Sequence, residues 1–253
     1  MKKLIPALLM ALTASASVFA QSDFDATADK IKAAMASDIR TEAETDRDRN
    51  RRPLQTLEFF GLRDDMRVVE LVPGGGWYSK ILAPVLRDKG EYYAGIGAGR
   101  LRTTLEGKPG FDKVSIIAED AEFSREEGAL LTDMKIDSLG VKDVDIVFTF
   151  RNYHNFSEAG RKAMNKVAFD ALKPGGIYAV VDHTKRHMEP LTRDNRRRVD
   201  PVLAIKEILE AGFEFVDYSD LHRRQDDELR YEVGVKTVTG NTDRWTFKFR
   251  KPE

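Results

Sequence analysis

The segment Val68–Tyr78 constrains the fold more than any other part of this 253-residue chain. It begins with an apolar run typical of a buried strand and continues through Pro73-Gly74-Gly75-Gly76 into a helix-compatible stretch. Glycines at such a turn let a ligand approach the backbone closely, and the helix N-terminus offers free N–H groups. Glu70, near the strand end, can accept hydrogen bonds from hydroxyl or amino donors. The segment predicts a nucleotide-cofactor loop, or otherwise a glycine turn that binds no ligand.

Apolar strands alternate with helix-compatible segments after Gly61. Continuous apolar runs, such as residues 144–150, favour strands that are covered on both faces. The pattern predicts an α/β fold with a mostly parallel, Rossmann-like sheet and helices on both of its faces. The predicted strands are Arg67–Leu71, Tyr92–Ile96, Val114–Ile117, Val144–Phe150, Ile177–Val181 and Phe213–Tyr218. The predicted helices are Trp77–Leu86, Glu158–Leu172 and Pro201–Ala211.

The C-terminal tail has a different pattern. Residues 229–233 and 244–249 alternate charged and apolar side chains, with no helix-compatible segment between them. Such alternation is typical of a strand with one face toward the core and one toward water. We expect the last segment to form an antiparallel edge strand and to complete seven strands within one domain, residues 53–253.

The first twenty residues have the pattern of a secretory signal peptide. Lys2 and Lys3 precede a short apolar run, which is followed by small residues that end at Ala20. The apolar run is too short to span a bilayer, so we expect cleavage after Ala20 and a periplasmic or secreted protein. An uncleaved anchor is the alternative, and N-terminal sequencing of secreted material distinguishes the two.

Composition excludes several classes of protein. The formal net charge of −1 becomes −3 when Lys2 and Lys3 are removed, so nothing in the overall charge indicates a nucleic-acid partner. The absence of cysteine excludes disulfides, thiolate zinc sites and a cysteine nucleophile. We expect no stable membrane span after signal cleavage, and the sequence does not determine the oligomeric state.

Residues 21–52 are expected to form a helical N-terminal arm, a lid or appendage. Its apolar stripe is weak, and it ends in the charged run Thr45–Arg52 before Pro53 begins a new helix. The run is interpreted as a solvated, self-paired segment, and contact of one arginine with substrate or cofactor is the alternative.

Several segments of residues 67–251 resemble, in order, the landmarks of class I S-adenosylmethionine-dependent methyltransferases. Residues 68–76 are similar to the family's first motif, and Ala118-Glu119-Asp120-Ala121 resembles its adenine-binding turn. Residues 143–148 are similar to its fourth strand, 171–177 to the segment before its fifth strand, and 210–213 to the turn into its sixth. Together with Arg151–Asn155 and Val181–His183, the pattern resembles a group of exported, predicted methyltransferases of unknown substrate.

The resemblance implies a cofactor, S-adenosyl-L-methionine, and a role for each matching residue. It implies that Glu70, Pro73, Gly74 and Gly76 line the methionine and ribose part, and that Asp120, beside Ala121, accepts a hydrogen bond from the adenine amino group. The alternative for Asp120 is a turn or helix-capping aspartate.

Two positions depart from the family pattern. Val72 stands where the motif usually has its first glycine. The second predicted strand is followed by Ile96-Gly97-Ala98-Gly99, without the acidic residue that usually binds the ribose hydroxyls. Loss of such a charge-assisted contact costs on the order of 1.5–3 kcal/mol, roughly ten- to a hundredfold in affinity.

Polar residues that follow the fourth and fifth parallel strands are the candidates for catalysis. Because methyl transfer from a sulfonium is an in-line displacement, positioning dominates, and a base is needed only if the acceptor must lose a proton. We expect His154 or His183 to be that base, or else to cap the strand ends. Asn152 and Tyr153 are expected to orient the acceptor, and Arg151 and Asp182 to contact it.

Residues 183–198 are rich in basic side chains at the same sheet edge. They predict either a positively charged lid for an anionic small molecule or envelope component, or a solvated loop. A metal site at His183 and His187 has little support, because no helix places them on one face.

Three functions remain open: an exported methyltransferase, a non-catalytic small-ligand-binding protein with the same fold, and a hydrolase. The hydrolase is disfavoured because no Gly-x-Ser-x-Gly motif occurs.

Overall fold

A seven-stranded, mostly parallel sheet forms the centre of the protein, in a computed structural model that describes residues 24–253. The signal peptide predicted at residues 1–20 lies outside the described residues. The sheet strands are β1 (Arg67–Leu71), β2 (Glu91–Gly95), β3 (Ser115–Ile117), β6 (Val144–Phe150), β7 (Leu172–His183), β8 (Glu214–Ser219) and β9 (Arg244–Arg250). A separate antiparallel pair consists of β4 (Glu122–Ser124) and β5 (Asp133–Lys135).

Helices connect the strands and cover the sheet. Helix α1 covers residues 24–35. The later helices are α2 (Glu42–Thr45), α3 (Asp48–Arg51), α4 (Pro53–Phe60), α5 (Ser79–Leu86), α6 (Gly99–Leu105), α7 (Glu158–Ala171) and α8 (Pro201–Glu210), with a 3₁₀ turn at Tyr153–Asn155. Proline at the first position of α4 and of α8 suits a helix start, because its missing N–H has no intrahelical partner there.

The strand order is β3-β2-β1-β6-β7-β9-β8. The first five strands in this order are parallel, and β9 is antiparallel to both of its neighbours, β7 and β8. The parallel sheet, its helices and the antiparallel C-terminal strand confirm the prediction. The structure adds that β9 is inserted between β7 and β8, so β8 forms that edge of the sheet.

Three segments differ from the prediction. Strand β7 begins at Leu172, five residues before the predicted Ile177, because residues 172–176 continue the chain beside Val144. Residues 229–233 form no strand in the described chain, although their side chains alternate. The pair β4/β5 was not predicted, since each of its strands has only three residues.

The core lies on both faces of the sheet. One face packs against α4, α5 and α6, and the other against α7 and α8. The N-terminal arm belongs to the first layer, because Ile31 in α1 is fully buried there and Ala34 is nearly so. The arm is therefore part of the core as well as a cover for the sheet edge.

Two features are absent from residues 24–253. Within that range no helix combines the length and the apolar character needed to cross a bilayer. The same residues contain no group of three or more histidine, aspartate or glutamate side chains arranged to hold a metal ion.

Candidate active site at the carboxyl ends of the strands

A cavity of about 370 Å³ opens at the carboxyl ends of β1 and β6. Ligands in open α/β sheets bind at this edge, and the volume is within the usual range for small-molecule sites. The lining residues come from the N-terminal arm, from the end of β1 and the glycine loop, and from the end of β6 and the segments that follow β6, β7 and β8. They are Glu44, Arg51, Glu70, Val72, Pro73, Gly74, Gly75, Trp77, Tyr78, Phe150, Arg151, Asn152, His154, Asn155, Arg197 and Val233.

The three glycines of the loop have different tasks. Gly74 has a φ of +59°, and a Cβ added at Gly74 or Gly75 would meet nothing within 4 Å. Gly76 faces α6 instead, where an added Cβ would lie 2.5 Å from Leu101 Cδ1. Gly74 and Gly75 therefore leave the backbone open toward the cavity. Gly76, predicted to line it, permits close packing of the loop on α6.

Val72 takes the backbone conformation that its position demands. Its φ is +54°, in the left-handed region that β-branched residues rarely occupy. The residues directly after β2, β3 and β6 share this feature, with φ values of +57° at Ile96, +54° at Ala118 and +63° at Arg151. Strained residues of this kind are concentrated at functional sites, and here they occur where four parallel strands end.

We expect Val72→Gly to change the free energy of unfolding by less than about 1 kcal/mol, because relief of about 1–2 kcal/mol of backbone strain offsets the lost side-chain contacts. Val141 is a matched control: it is also a partly buried valine on the same core cluster, and it is not among the residues with positive φ. Val141→Gly is expected to cost about 1–2 kcal/mol more than Val72→Gly. Equal losses in urea denaturation would contradict strain at Val72.

Glu70 has a buried carboxyl group in which one oxygen accepts hydrogen bonds and the other accepts none from the described residues. Ser79 Oγ and Tyr92 Oη donate hydrogen bonds to Oε2, over 2.7 and 2.5 Å, and Oε1 has no such partner among the described residues. Burial raises the pKa of Glu70 to about 7, although the two hydrogen bonds and the nearby Arg51 act to lower it. The site therefore holds an acceptor that is easily charged by a cationic ligand.

The raised pKa of Glu70 predicts a pH-dependent stability. Between the unfolded value of 4.5 and the folded value of about 7, the native state binds more protons than the unfolded state. Stability contributed by the protonated group is thus present below pH 4.5 and is lost as the pH rises to about 7, by about 3 kcal/mol in all.

Glu70→Gln removes this titration and keeps an oxygen for Ser79 and Tyr92. We expect the stability of the variant relative to the wild type to rise by about 3 kcal/mol from pH 4 to pH 8, measured by urea denaturation at each pH. A difference that does not change with pH would contradict the raised pKa.

His154 and Asp182 form a buried pair beside the cavity. His154 Nδ1 lies 2.5 Å from Asp182 Oδ1, and the backbone N–H of His154 donates to Oδ2 over 2.9 Å. The carboxylate therefore holds the proton on Nδ1 and leaves Nε2 with its lone pair. Nε2 has no hydrogen-bond partner among the described residues, and His154 lines the cavity. This is the arrangement of an oriented general base.

His183 is placed differently, and its predicted role as a base is corrected. It is 1% exposed, its Nε2 accepts a hydrogen bond from Arg151 Nε, and its Nδ1 lies 2.9 Å from Thr242 Oγ1. Burial and the charges of Arg244 and Arg151 hold the pKa of His183 well below its usual value. A neutral ring with both nitrogens engaged positions Arg151 and cannot take a proton from a substrate.

Of the two residues expected to orient the acceptor, Asn152 lies at the cavity and Tyr153 does not. Asn152 lines the cavity, and its amide nitrogen donates to the carbonyls of Val72 and Phe150, which leaves only its amide oxygen for a ligand. Tyr153 is fully buried on the other side, where its hydroxyl bonds Glu207 and Asn165. The prediction for Tyr153 is therefore corrected: it anchors the 3₁₀ turn to α7 and α8.

The predicted adenine-binding residues do not line the cavity. Asp120 is exposed, and Ala121 packs against the core cluster that contains α7. Arg151 lines the cavity as predicted. Asp182, predicted to contact the acceptor, is fully buried and is not among the lining residues, so its role is corrected: it holds His154. After β2, an added Cβ at Gly97 would lie 3.6 Å from Phe123 Cζ, so the edge of an aromatic ring packs against the segment that lacks an acidic residue.

The N-terminal arm contributes residues to the site. Arg51 lines the cavity, and its guanidinium lies over the Trp77 ring at 4.2 Å from the centroid. Lys80 and Trp77 fix the arm through hydrogen bonds to Glu44. Lys80 Nζ donates to the Glu44 carboxylate over 2.8 Å, and Trp77 Nε1 donates to the Glu44 backbone carbonyl. The run Thr45–Arg52 is therefore not only a solvated segment. Its Arg51 lines the cavity, which favours the alternative that one arginine of the run contacts a ligand.

Two of the six lysine and arginine side chains of the basic segment 183–198 form ion pairs within the described residues. Arg198 is buried against Asp227, and Arg197 bonds Glu232 at the rim of the cavity. Arg193 and Arg196 are exposed and line a second cavity of about 760 Å³. Of the expected positive lid, only Arg197 lines the first cavity, and its charge is paired with Glu232.

Comparisons with known proteins support the fold. No protein-family model matches the chain. The curated proteins contain no match either. Among solved structures, the [4+2]-cyclase SpnF is 15% identical and covers 80% of this chain and 80% of its own, with a TM-score of 0.56.

Two further structures are similar over most of their length. A SAM-dependent methyltransferase from Aquifex aeolicus is 18% identical, covering 81% of this chain and 92% of its own, with a TM-score of 0.55. The glycopeptide N-methyltransferase MtfA is 16% identical, covering 81% and 91%, with a TM-score of 0.52. At such identities the likeness concerns the fold alone. The chain therefore has the Rossmann-like fold that is also found in SAM-dependent methyltransferases and in a cyclase.

Proposed function

We propose that this protein is an S-adenosylmethionine-dependent methyltransferase of the cell envelope whose acceptor is a small molecule or an envelope component. One observation carries the proposal: the open glycine loop, the free Oε1 of Glu70 and the oriented His154 line a single cavity. A loop without a ligand would require neither the open backbone nor a buried carboxyl group beside it.

The residues present fit the methionine half of this cofactor. Its ammonium group is a donor and a cation, and Glu70 Oε1 is an unpartnered acceptor whose pKa of about 7 falls when a cation binds. Pro73, Gly74 and Gly75 would hold the chain of the cofactor against the backbone. The nucleoside half has fewer partners, because no carboxylate follows β2; Asp120 stays the proposed acceptor for the adenine amino group.

The cofactor would supply a methyl group on a sulfonium, ready for in-line displacement. The chain supplies position and one base. Asp182 keeps the proton of His154 on Nδ1, so that Nε2 can accept a proton from a hydroxyl or amino acceptor. Asn152 fixes the ends of β1 and β6 to each other and offers its amide oxygen. Tyr78, stacked on Phe150 at 3.6 Å, closes an aromatic wall that limits water.

The envelope location is supported by the sequence of residues 1–20 and by the absence of cysteine, which suits an oxidising compartment. S-adenosylmethionine is made in the cytoplasm, so an exported enzyme needs its cofactor delivered. Fractionation of cells followed by N-terminal sequencing tests the location: Gln21 as first residue in the periplasmic or secreted fraction supports it, and an intact Met1 in the cytoplasm contradicts it.

A second function has its own supporting observation. The sequence has no acidic residue directly after β2, and Phe123 packs against Gly97 there; this favours a non-catalytic protein that uses the cavity for another small ligand. The known cyclase with this fold illustrates that the fold hosts more than one activity.

Calorimetric titration of the purified protein with S-adenosylmethionine and S-adenosylhomocysteine distinguishes the two. We expect binding that Glu70→Ala weakens about ten- to a hundredfold, by loss of a charge-assisted contact. Glu70→Gln, which keeps the bonds of Tyr92 and Ser79, is expected to weaken it similarly, while Glu91→Gln on the exposed end of β2 leaves it unchanged. No binding at millimolar ligand would overturn the methyltransferase proposal and favour the binding protein.

A further inference from the structure

Arginines without carboxylate partners surround the cavity. Arg51 and Arg151 line it, and Arg47 and Arg244 lie close enough to interact with both. Among residues 24–253, none of these four guanidinium groups forms an ion pair, whereas Arg197 at the rim pairs with Glu232. The cavity therefore carries a positive charge that the chain itself does not neutralise.

Arg51 is held in place at the cavity while its charge stays free. Its guanidinium stacks on Trp77, and its Nε is buried without a hydrogen-bond partner. Its backbone carbonyl accepts a bond from His222 Nε2 over 2.9 Å, and a second from Tyr78 Oη over 3.3 Å. The position of Arg51 is thus fixed by its main chain and by stacking, and its terminal nitrogens are left for a ligand.

Arg151, in the segment that follows β6, also lines the cavity and is held in a similar way. Its Nε donates to the neutral ring of His183 over 2.9 Å, and its main chain is bonded to Val181. Arg244 stands behind the pair, 4% exposed, with its Nε lacking a partner and its Nη1 bonded to the Asn50 carbonyl. Guanidinium forks arranged in this way match the geometry of a carboxylate or phosphate group.

The pKa values of the arginines reflect the electrostatic cost of this arrangement. Burial, together with repulsion from the other arginines, lowers the pKa of Arg51 and of Arg244 to about 9, and that of Arg151 below its usual value. They stay charged at neutral pH. Buried charge without a partner is strongly unfavourable, so these positions indicate that a negative group is supplied from outside.

The proposed cofactor does not supply enough negative charge. S-adenosylmethionine has one carboxylate against a sulfonium and an ammonium group. Among the nearby acidic residues, Glu44 is paired with Lys80, and Glu70 has a pKa of about 7. Asp182, whose charge acts to raise the pKa of Arg151, is hydrogen-bonded to His154 and forms no ion pair with an arginine of the described chain. A second ligand must bring the compensating charge.

We propose that the methyl acceptor carries an oxyanion, a carboxylate or a phosphate group, that binds between Arg51 and Arg151. That the anionic ligand is a methyl acceptor rests on the function proposed above, whereas the anion site itself rests on the two arginines. The oxyanion anchors the acceptor next to Asn152 and His154, which line the same cavity. It thereby selects acidic small molecules over neutral ones.

Calorimetry at constant ionic strength tests this, with inorganic phosphate and succinate as separate probes, each added to the protein with and without saturating S-adenosylhomocysteine. We expect at least one probe to bind in both conditions, and Arg51→Gln and Arg151→Gln each to weaken it tenfold or more. The preferred probe identifies the oxyanion. Arg51→Lys, which preserves the charge, should retain more affinity than Arg51→Gln. Arg49→Gln is the control, because Arg49 is exposed and pairs with Asp46 on the same segment.

The outcomes separate the two proposals. Binding of S-adenosylhomocysteine without binding of either anion would overturn the anion site and leave the methyltransferase proposal standing. Anion binding without S-adenosylhomocysteine binding would overturn the methyltransferase and keep the site. An equal loss of anion binding in Arg49→Gln would show only general charge attraction and would overturn the site as well. Circular dichroism of each variant identifies loss of fold. If Arg51→Gln does not fold, the anion affinity of Arg51→Lys is compared with that of the wild type.

Discussion

His154→Ala is expected to lower turnover about 10²- to 10⁴-fold, with an acceptor that must lose a proton. The reason is the geometry of the pair: Asp182 fixes the proton on Nδ1, Nε2 has no hydrogen-bond partner among the described residues, and His154 lines the cavity. The variant removes the base and leaves Asp182 with the backbone N–H groups of residues 154 and 183. Release of S-adenosylhomocysteine, measured with any acceptor that supports turnover, gives the rate.

His187→Ala is the matched control for this prediction. His187 also pairs with an aspartate, Asp200, but it is half exposed and lies away from the cavity. We expect turnover to be unchanged in His187→Ala and cofactor affinity to be within about threefold of the wild type in both variants. Turnover of His154→Ala within a factor of three of the wild type would contradict the base.

Arg198→Met is expected to destabilise the protein by about 3–5 kcal/mol, because it leaves Asp227 as a buried charge without its partner. The two side chains are completely buried and joined by two bonds, of 2.9 and 3.0 Å. Arg198 also donates to the carbonyls of Tyr231 and Thr184. It therefore joins the segment that follows β7 to the segment that follows β8, and each of these segments contributes one residue to the cavity lining.

The neighbouring residue provides the control for this second prediction. Arg197 pairs with Glu232, but its side chain is 43% exposed, so Arg197→Met is expected to cost at most about 1 kcal/mol. Urea denaturation at pH 7 measures both variants. Losses of equal size would contradict the distinction between the buried and the exposed pair.

The arrangement of the sheet was largely predictable from the sequence, because parallel strands covered on both faces require continuous apolar runs. Val144–Phe150 has this pattern, and its bounds match β6. The sequence did not determine the place of β9, since its alternating pattern is compatible with an edge or with insertion beside β7. Residues 229–233 alternate in the same way, yet their backbone is held by Arg198 rather than by a neighbouring strand.

The site was predictable only where function depends on local sequence. Glu70 and Gly74 follow from the strand-to-helix turn, and both line the cavity. The contribution of Arg51 depends on packing over Trp77, which a charged run in sequence does not reveal. Likewise, His154 and His183 are equivalent as residue types at strand ends. Only the partners of each ring, Asp182 for one and Arg151 for the other, distinguish the base from the positioning residue.

A crystal structure of the protein with S-adenosylhomocysteine is the most direct test of the central claim, that the cavity at the carboxyl ends of β1 and β6 is the active site. The account predicts ligand density along Gly74 and Gly75, with the amino group of the ligand bonded to Glu70. Density confined to the second cavity, beside Arg193 and Tyr231, or no density at saturating ligand, would contradict it.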